Sequence, residues 1–570
     1  MPLRALLIGL VALLPLHAFA EGPAKPEARA THEMVSAANP YATDAGIAIL
    51  REGGSAVDAA IAIQMVLTLV EPQSSGIGGG AFMLYYDGDT GKMTAFDGRE
   101  TAPAAVDETL FLGPEGKPRL KSEAIPGGQS VGAPGVVRML ELAHKAHGKL
   151  PWAELIQPAI KLARDGFVVS PRLHYLLSVD PHLKKFPASA AYFYDDKGEP
   201  LAVGTVLKNP ALARTLEQVA QDPESFYTGR IADDIARTVQ QAPINPGKLT
   251  AADIAGYQAR AREPVCPAFR VWKVCGMPPP SSGGVAVGQL LGILQGTGIK
   301  DDAPESAKAV NLFIEAERLV YADRATWLGD TDFVDAPVAG LLDPDYIARR
   351  RALIEPGKVM AEAPAGTPPG APQAYRTVTP SEIPATSHFS IVDRWGDTLA
   401  MTTSVEAAFG SRMMVDGFIL NNQLTDFSFA PTEDGRPVAN RVEAGKRPLS
   451  SMSPTIVLDA QGRPVLAIGS PGGPLIISFV AKTILGVLDW NLSLQKAIEL
   501  SNLVYYNDAL ILERDGAVWA DKDALAAMGY TLKEGSMVSG LYGVMIHYDD
   551  GGRWLEGGAD PRREGTVAGD

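Results

Sequence analysis

The segment from residue 355 to residue 385 divides the chain into two parts with different patterns. It carries seven prolines and little apolar periodicity, which predicts a mobile connection of a length that compact domains rarely contain. After it, apolar and polar residues alternate in two pairs of short runs joined by turn residues, which predicts two β-hairpins. Their strands are predicted at 388–393, 398–404, 455–459 and 465–470.

Helical periodicity dominates the part before this connection. One pair of strands, at 81–86 and 92–97, interrupts it, and a further helix at 474–488 directly follows the second hairpin. The other helices are predicted over 41–51, 55–70, 136–146, 152–165, 211–221, 231–241, 285–294 and 307–328. Helices, then hairpins that lead into helices, predict an α+β fold in which helices cover an antiparallel sheet.

The N-terminus has the pattern of a secretory signal. Residues 1–4 are short and basic, residues 5–16 are apolar, and Ala18-Phe19-Ala20 supply the small side chains that precede cleavage. We therefore predict a signal peptide over residues 1–20 and a periplasmic or secreted protein. No later stretch reaches about 18 apolar residues, so no membrane anchor is expected.

The charge balance narrows the class of ligand. Lys and Arg total 51 against 66 for Asp and Glu, which gives a formal charge of −15 over 570 residues. A chain this acidic is not attracted at long range to nucleic acid or to an anionic membrane surface. We therefore expect a small-molecule substrate and no nucleic-acid partner.

Three common site patterns are missing or out of place. His144 and His147 share a helical face, but no carboxylate or cysteine joins them at the spacing of a metal site, so neither a metal nor another cofactor is predicted. The glycine run at 76–80 follows a helix and precedes a strand, the reverse of a dinucleotide-binding loop, and a tight turn or a close backbone approach explains it better. The GxSxG elbow of serine hydrolases does not occur.

The chain has two cysteines, Cys266 and Cys275, in a segment whose alternation predicts two short strands. In an oxidising compartment they can form a disulfide across that hairpin. The alternative is that both are ordinary buried small residues.

The junction between the proline-rich connection and the next strand offers a nucleophile. Cleavage before Thr386 would place a free amine and a hydroxyl on one residue at the end of a strand. An α-amine has a pKa of about 7.7 to 8.0 and accepts the hydroxyl proton near neutral pH, so Thr386 would be both nucleophile and base. The alternative is a threonine that merely begins a strand.

A possible oxyanion site lies at the start of the helix predicted over 474–488. Gly472 and Gly473 present two adjacent backbone N–H groups there, unobstructed by side chains. The positive end of a helix stabilises a developing alkoxide. A glycine-lined turn without such a role is the alternative.

Nine ordered motifs of this chain resemble those of the gamma-glutamyltransferases. In the second part they are Thr386-Ser-His388, Asn421-Asn-Gln423, RPLSSMSPT at 447–455 and Gly469-Ser-Pro-Gly-Gly473. In the first part they are GGSAVDAA at 53–60, GGGAFM at 78–83, RETAP at 99–103, MPPPSSGG at 277–284 and Ala322-Asp323-Arg324. So many matches in order are more specific than any single motif.

The resemblance implies the four-layer αββα fold of the N-terminal-nucleophile hydrolases and self-cleavage between Ala385 and Thr386. Cleavage would yield a large subunit of residues 21–385 and a small subunit of residues 386–570 from one precursor. Thr386 would then attack the γ-carbonyl of a γ-glutamyl donor such as glutathione, and water or an amino acid or peptide acceptor would release the glutamyl group.

The resemblance also assigns the groups around the reacting carbonyl. Gly472 and Gly473 would hold the oxyanion. Ser404 stands near the nucleophile where the family usually has a threonine, and its hydroxyl can still form hydrogen bonds.

The remaining matches concern the donor's amino acid end. Arg99 and the pair Ser450 and Ser451 correspond to the residues that hold the α-carboxylate, since an arginine fork suits a carboxylate. Gln423 and Asp426 correspond to acceptors for the α-ammonium.

Two departures affect this end of the site. Glu406 stands where the family usually has an asparagine that helps to bind the α-amino group. The segment 430–445, where many members carry a lid with an aromatic residue over the donor, is short and has no aromatic residue. Glu406 leaves the donor specificity open, and the short segment 430–445 predicts a glutamyl site that is open to larger substrates and to water.

Two alternatives to a gamma-glutamyltransferase follow. One is a glutaryl or cephalosporin-type acylase of the same fold, and the other is an unprocessed periplasmic binding protein. The presence of Thr386, Arg99, Gly472 and Gly473 argues against the binding protein.

Overall fold

The structure, a computed structural model, describes residues 28–372 and 385–570. The predicted signal peptide over residues 1–20 lies outside the described residues, as do residues 373–384 of the predicted connection. The described strands are β1 (Ala28–Ala30), β2 (Met34–Ala37), β3 (Gly80–Tyr86), β4 (Met93–Gly98), β5 (Phe167–Val168), β6 (Val206–Leu207), β7 (Arg260–Arg262), β8 (Ala268–Phe269), β9 (Trp272–Gly276), β10 (Ala385–Val392), β11 (Thr398–Glu406), β12 (Met414–Val415), β13 (Phe418–Ile419), β14 (Thr432–Glu433), β15 (Arg436–Pro437), β16 (Thr455–Leu458), β17 (Pro464–Gly469), β18 (Leu503–Tyr506), β19 (Ala509–Glu513), β20 (Leu532–Gly535), β21 (Tyr542–Asp549), β22 (Gly552–Ala559) and β23 (Thr566–Gly569).

The described α-helices are α1 (Pro40–Arg51), α2 (Ala56–Val70), α3 (Lys121–Ala124), α4 (Val136–His147), α5 (Trp152–Asp165), α6 (Pro171–Val179), α7 (Pro187–Phe193), α8 (Pro210–Gln221), α9 (Arg230–Gln240), α10 (Ala251–Ala255), α11 (Gly283–Leu294), α12 (Ala307–Trp327), α13 (Val338–Leu341), α14 (Pro344–Arg351), α15 (Ile476–Leu488), α16 (Leu494–Glu499) and α17 (Lys522–Ala527).

Two seven-stranded sheets form the centre of the molecule. Sheet I has the order β1-β22-β21-β17-β16-β9-β8, and sheet II has the order β23-β2-β10-β11-β3-β4-β7. All neighbouring strands in both sheets are antiparallel. Each sheet takes strands from both sides of residues 373–384, so the predicted large and small subunits share both sheets.

Strand β3 shows how the layers are separated. Ala81, Met83 and Tyr85 belong to the apolar cluster formed with α1, α2, α4 and α5. Phe82 and Leu84 point the other way, into the cluster formed with sheet I, α11, α12 and α15. Since successive side chains of a strand alternate between its two faces, sheet II separates these clusters. The predicted α+β fold with αββα layers is confirmed.

Helix α2 anchors the strand that follows the predicted cleavage site. Ser55 begins the helix with a capping box, in which its hydroxyl accepts from the Asp58 N–H and the Asp58 carboxylate accepts from the Ser55 N–H. The Ala56 N–H donates to Asp393 Oδ2 at 2.9 Å. Because Asp393 directly follows β10, this bond fixes the end of that strand against the helical layer.

The described part of the predicted connection runs along α12. The N–H of Gly357 donates to Asn311 Oδ1 at 2.7 Å, and the N–H of Gly366 donates to Asp323 Oδ1 at 2.7 Å. Residues 355–372 are therefore tied to this helix, while 373–384 lie outside the described residues.

Strands β8 and β9 form the hairpin predicted around the cysteines. Cys266, just before β8, is joined to Cys275 in β9 by a disulfide. None of the helices in residues 28–372 and 385–570 combines the length and apolar character needed to cross a membrane.

Candidate active site

Thr386 lies at the start of β10, between strands β2 and β11 of sheet II. The pairing of β10 with β11 shifts in register between Ala385 and Ser387. An irregularity of this kind changes the direction of a side chain relative to the regular pleat. The Thr386 side chain is buried and lines a small cavity.

A chain of hydroxyl groups connects Thr386 to the peptide bond before it. Thr386 Oγ1 donates to Ser404 Oγ at 3.2 Å, and Ser404 Oγ donates to the carbonyl oxygen of Ala385 at 2.9 Å. Ser404 Oγ also accepts from the Glu406 N–H at 2.8 Å. The Ser404 hydroxyl therefore touches both the candidate nucleophile and the carbonyl that this nucleophile would attack.

The glycine run at 76–80 makes this arrangement possible. A Cβ atom on Gly79 would lie 2.1 Å from the Ser404 carbonyl oxygen, and one on Gly78 would lie 2.1 Å from the Ile419 carbonyl oxygen. A close backbone approach is therefore the role of these glycines, as the sequence favoured over nucleotide binding.

A buried arginine contacts the nucleophile from the opposite side. Arg563 Nη1 donates to the Thr386 carbonyl oxygen at 2.8 Å. Burial, together with the positive charge of Arg172, lowers the pKa of Arg563 to about 9. The guanidinium is therefore still charged at neutral pH, close to the backbone of Thr386.

Gly472 and Gly473 lie before α15, with φ angles of +144° and +56°. A single 3₁₀ turn, Gly473–Leu475, separates Gly472 from the helix. Gly473 lines the same cavity as Thr386. The structure therefore places Gly473 in the cavity wall, whereas Gly472 is not among the lining residues, and the oxyanion role of the pair stays a prediction.

At the far end of the cavity, Arg99 is almost completely buried. Its Nη2 donates to Asp426 Oδ2 at 2.6 Å and to the Leu449 carbonyl oxygen at 3.1 Å, and its Nε donates to the Pro448 carbonyl oxygen at 3.1 Å. These bonds fix the plane of the guanidinium at the cavity wall.

Ser450 and Ser451 line the same cavity as Arg99 and Thr386. Ser451 Oγ accepts from Arg324 Nη2 at 2.7 Å, and Arg324 Nε donates to Ser282 Oγ at 2.8 Å. The Ser282 N–H in turn donates to the Ser450 carbonyl oxygen. The large-subunit motif around Arg324 therefore holds the serine pair in place.

Glu406 and Asp426 approach each other across a lysine that the sequence did not single out. Lys121 Nζ is 3.4 Å from Glu406 Oε1 and 3.7 Å from Asp426 Oδ1. Asn422 Nδ2 donates to the other oxygen of Glu406. The backbone of Glu406 has a φ of +80°, a conformation that residues other than glycine rarely adopt. Glu406 and Asp426 thus form a pair of carboxylates with a cation between them.

Glu100 is a second buried carboxyl next to this end of the site. Burial raises the pKa of Glu100 to about 8, although Arg99 opposes the shift. A Cβ atom on Gly80 would lie 2.3 Å from Glu100 Oε2, so only glycine leaves room for this side chain. Glu100 is therefore largely protonated at neutral pH.

The cavity brings most of the predicted site residues together. Its lining consists of Arg99, Thr386, Ser404, Glu406, Gln423, Asp426, Ser450, Ser451, Met452, Gly473 and Ile476. Sequence reasoning missed the contacts of Asn422 and Glu100, although both stand inside quoted motifs. It also missed Lys121 and Arg563, for which no local pattern gave a signal.

The fold and this site define a class of protein. Two facing antiparallel sheets between helical layers, with a threonine at the start of a central strand, are the architecture of an N-terminal-nucleophile hydrolase. The model of the gamma-glutamyltranspeptidase family matches residues 42–570. The chain therefore belongs to that family, whose members are enzymes, and the resemblance found in the sequence is confirmed.

Individual relatives agree with this assignment. The glutathione hydrolase proenzyme of Bacillus subtilis (strain 168) is 36% identical over 546 residues, which cover 94% of this chain and 91% of the relative. That of Escherichia coli (strain K12) is 38% identical over 482 residues, covering 82% of this chain and 80% of the relative. The solved structure of a cephalosporin acylase from Bacillus halodurans matches with a TM-score of 0.82 at 25% identity, covering 97% of this chain and 98% of that one.

Proposed function

We propose that the protein is a self-processing gamma-glutamyltransferase and glutathione hydrolase. The observation that carries this proposal is the bridge from Thr386 through Ser404 to the Ala385 carbonyl, at one end of a cavity whose other end is lined by Arg99. Its donors are glutathione and related γ-glutamyl amides, and its acceptors are water, amino acids or peptides.

Maturation begins with the bond between Ala385 and Thr386. Thr386 Oγ1 attacks the Ala385 carbonyl carbon, the peptide nitrogen leaves as the Thr386 amine, and the acyl group passes to the oxygen as an ester. Water then hydrolyses the ester and releases the Ala385 carboxylate. The Ser404 hydroxyl already donates to the Ala385 oxygen and stabilises the negative charge that develops on it. The products are a large subunit of residues 21–385 and a small subunit of residues 386–570.

In catalysis the same oxygen attacks the donor's γ-carbonyl. The free Thr386 amine accepts the hydroxyl proton, and the charge of Arg563 beside the Thr386 backbone favours the neutral amine that this step requires. The N–H groups of Gly472 and Gly473 hold the oxyanion. The leaving amine takes the proton, and water or an acceptor amine then releases the glutamyl group from the ester.

The donor's amino acid end binds at the charged end of the cavity. Arg99, Ser450 and Ser451 receive the α-carboxylate, and Gln423, Glu406 and Asp426 receive the α-ammonium. Arg99 forms an ion pair with Asp426 in the uncut chain. The α-carboxylate and the α-ammonium of a donor would bind beside it as a second pair of opposite charges.

The acylase alternative remains as a second candidate because of Lys121. Its ammonium lies against Glu406 and Asp426 and compensates part of the charge that a γ-glutamyl donor would match. The similarity to a cephalosporin acylase points the same way. Membership of a family of enzymes favours both candidates over a binding protein.

Two measurements on the purified protein test the proposal. Denaturing gel electrophoresis with N-terminal sequencing is expected to show two bands, the smaller one beginning at Thr386. Release of p-nitroaniline from γ-glutamyl and glutaryl anilides is expected to be faster for the glutamyl compound. A single full-length band that persists on incubation would reject processing, and faster turnover of the glutaryl compound would favour the acylase. The predicted signal peptide supports a location in the periplasm or outside the cell.

A further inference from the structure

Lys121 lies within ion-pair distance of both carboxylates at the charged end of the cavity. Its side chain is 12% exposed, and those of Glu406 and Asp426 are 4% and 6% exposed. Charges buried to this degree are screened little by salt and act on one another more strongly than surface charges. The ammonium therefore offsets the repulsion between the two carboxylates.

The surrounding chain fixes Lys121 in this place. It begins helix α3, and Ala124, on the same turn, packs in an apolar cluster with Leu424 and Phe427, which flank Asp426 in sequence. Just before the helix, Arg119 Nη1 donates to Gln129 Oε1 at 2.5 Å. The packing of Ala124 therefore holds Lys121 near Asp426, and the hydrogen bond of Arg119 fixes the chain just before it.

We propose that Lys121 is a specificity-determining residue, which supplies from the protein the positive charge that a donor's α-ammonium brings to Glu406 and Asp426. This inference rests on the proposed function, because it takes the cavity to receive γ-glutamyl compounds. A donor with an α-ammonium gains less at this site than it would gain at the same carboxylates without Lys121. A glutaryl amide is a monoamide of a dicarboxylic acid and has no ammonium. When it binds, Lys121 still provides a cationic partner for Glu406 and Asp426.

Charge counting gives the direction of the effect. Arg99 also pairs with Asp426, so Glu406, Asp426, Lys121 and Arg99 together carry no net charge. Without Lys121 the same group carries one net negative charge, which favours a donor ammonium. Lys121 thereby broadens the range of donors, and its removal sharpens selection for γ-glutamyl compounds.

The test compares Lys121→Met, Lys121→Arg and the control Lys117→Met in the processed enzyme. Met keeps the length of the side chain without its charge, Arg keeps the charge, and Lys117 is an exposed lysine nearby that pairs with Glu115. The readout is the ratio of kcat/KM for γ-glutamyl over glutaryl p-nitroanilide. Lys121→Met is expected to raise this ratio about tenfold, as the loss of one partly buried charge partner would. Lys121→Arg and Lys117→Met are expected to keep the wild-type ratio.

An unchanged ratio in Lys121→Met, within about twofold, would overturn the inference. Failure of the proposed function is recognised separately, because wild-type enzyme would then turn over neither anilide or would turn over the glutaryl anilide faster. In that case calorimetric titration of L-glutamate and of glutarate into wild-type and Lys121→Met protein supplies the same comparison. If Lys121→Met does not fold, the pair Lys121→Gln and Lys121→Arg provides it, and equal ratios in these two variants would overturn the inference as well.

Discussion

The two ends of the cavity are held together by different kinds of contact. At the nucleophile end, Thr386, Ser404 and the Ala385 carbonyl are joined by neutral hydrogen bonds over short distances. At the recognition end, charged and buried side chains line or border the cavity, namely Arg99, Lys121, Glu406 and Asp426. The strength of a neutral hydrogen bond depends on the positions of the two groups. The free-energy cost of a buried charge depends on how fully opposite charges nearby compensate it.

The two ends of the cavity are therefore expected to control different properties, the rate of turnover and the selection between donors. A change at the nucleophile end is expected to alter the turnover of every donor by the same factor, because in the proposed mechanism all donors react with the same oxygen. A change at the recognition end is expected to alter the ratio between donors, because it changes the net charge that each donor meets.

The largest effect is expected from Thr386→Ala, which removes the nucleophile. The variant is expected to remain a single uncut chain, with activity reduced at least about 10³-fold for both γ-glutamyl and glutaryl donors. Thr386→Ser, which keeps a hydroxyl, is expected to cleave. Gel electrophoresis and the anilide assay check both variants, and efficient cleavage of the Ala variant at the same bond would contradict self-processing.

The next effect is expected from Ser404→Ala. Loss of the hydroxyl removes the bond to the Ala385 oxygen and is expected to slow precursor cleavage by about 10²-fold. Residual activity is expected to fall by one common factor for the two anilides. Ser404→Thr, which retains the hydroxyl, serves as the matched control. A loss confined to one donor would show that the two ends of the cavity do not act separately.

The third effect is expected from Glu406→Asn, a change at the recognition end. It removes one of the two carboxylates near the donor ammonium and is expected to narrow the preference for γ-glutamyl over glutaryl anilide by about tenfold. This direction is opposite to that expected for loss of Lys121. Glu433→Asn, an exposed residue of the hairpin β14–β15, is the control. Equal or better turnover of the glutaryl compound by the unmodified enzyme would favour the acylase.

The sequence predicted the nucleophile end more completely than the recognition end. Thr386 and Ser404 stand at the ends of strands whose alternation is visible locally, and the long helices were predicted for the same reason: α5 has the predicted bounds, 152–165. Elements with weak local patterns, such as the short helices α6 and α7, were not predicted, because contacts elsewhere in the chain stabilise them.

The charged end could not be predicted in the same way. Lys121 meets Glu406 and Asp426 only because the apolar cluster around Ala124 joins distant parts of the chain. Arg563 likewise reaches Thr386 from near the C-terminus. A single lysine or arginine in sequence looks the same whether it is solvated or buried in a site, so its role becomes visible only with its partners.

A smaller effect is expected at Glu100, whose pKa of about 8 lies above its ordinary value of 4.5. The folded protein keeps a proton that the unfolded chain releases above pH 4.5, so this carboxyl lowers stability progressively from about pH 4.5 to pH 8. Glu100→Gln removes the cost. Its unfolding free energy is expected to exceed that of wild type by an amount that grows between pH 5 and pH 8 and reaches about 1 to 3 kcal/mol. Urea unfolding at the two pH values measures this, with the exposed Glu115→Gln as control. A difference that is constant with pH would contradict the shift.

The smallest effect on activity is expected far from both ends, at the disulfide between Cys266 and Cys275. Replacing both cysteines by serine removes a short loop closure and is expected to lower stability by about 2 to 3 kcal/mol. Because neither residue lines the cavity, turnover of both anilides and their ratio are expected to change less than about twofold. Thiol titration of the denatured, unreduced wild-type protein is expected to find no free thiol. Two free thiols would contradict the disulfide, and a changed donor ratio in the double variant would show that the recognition end responds to more than the charges that border it.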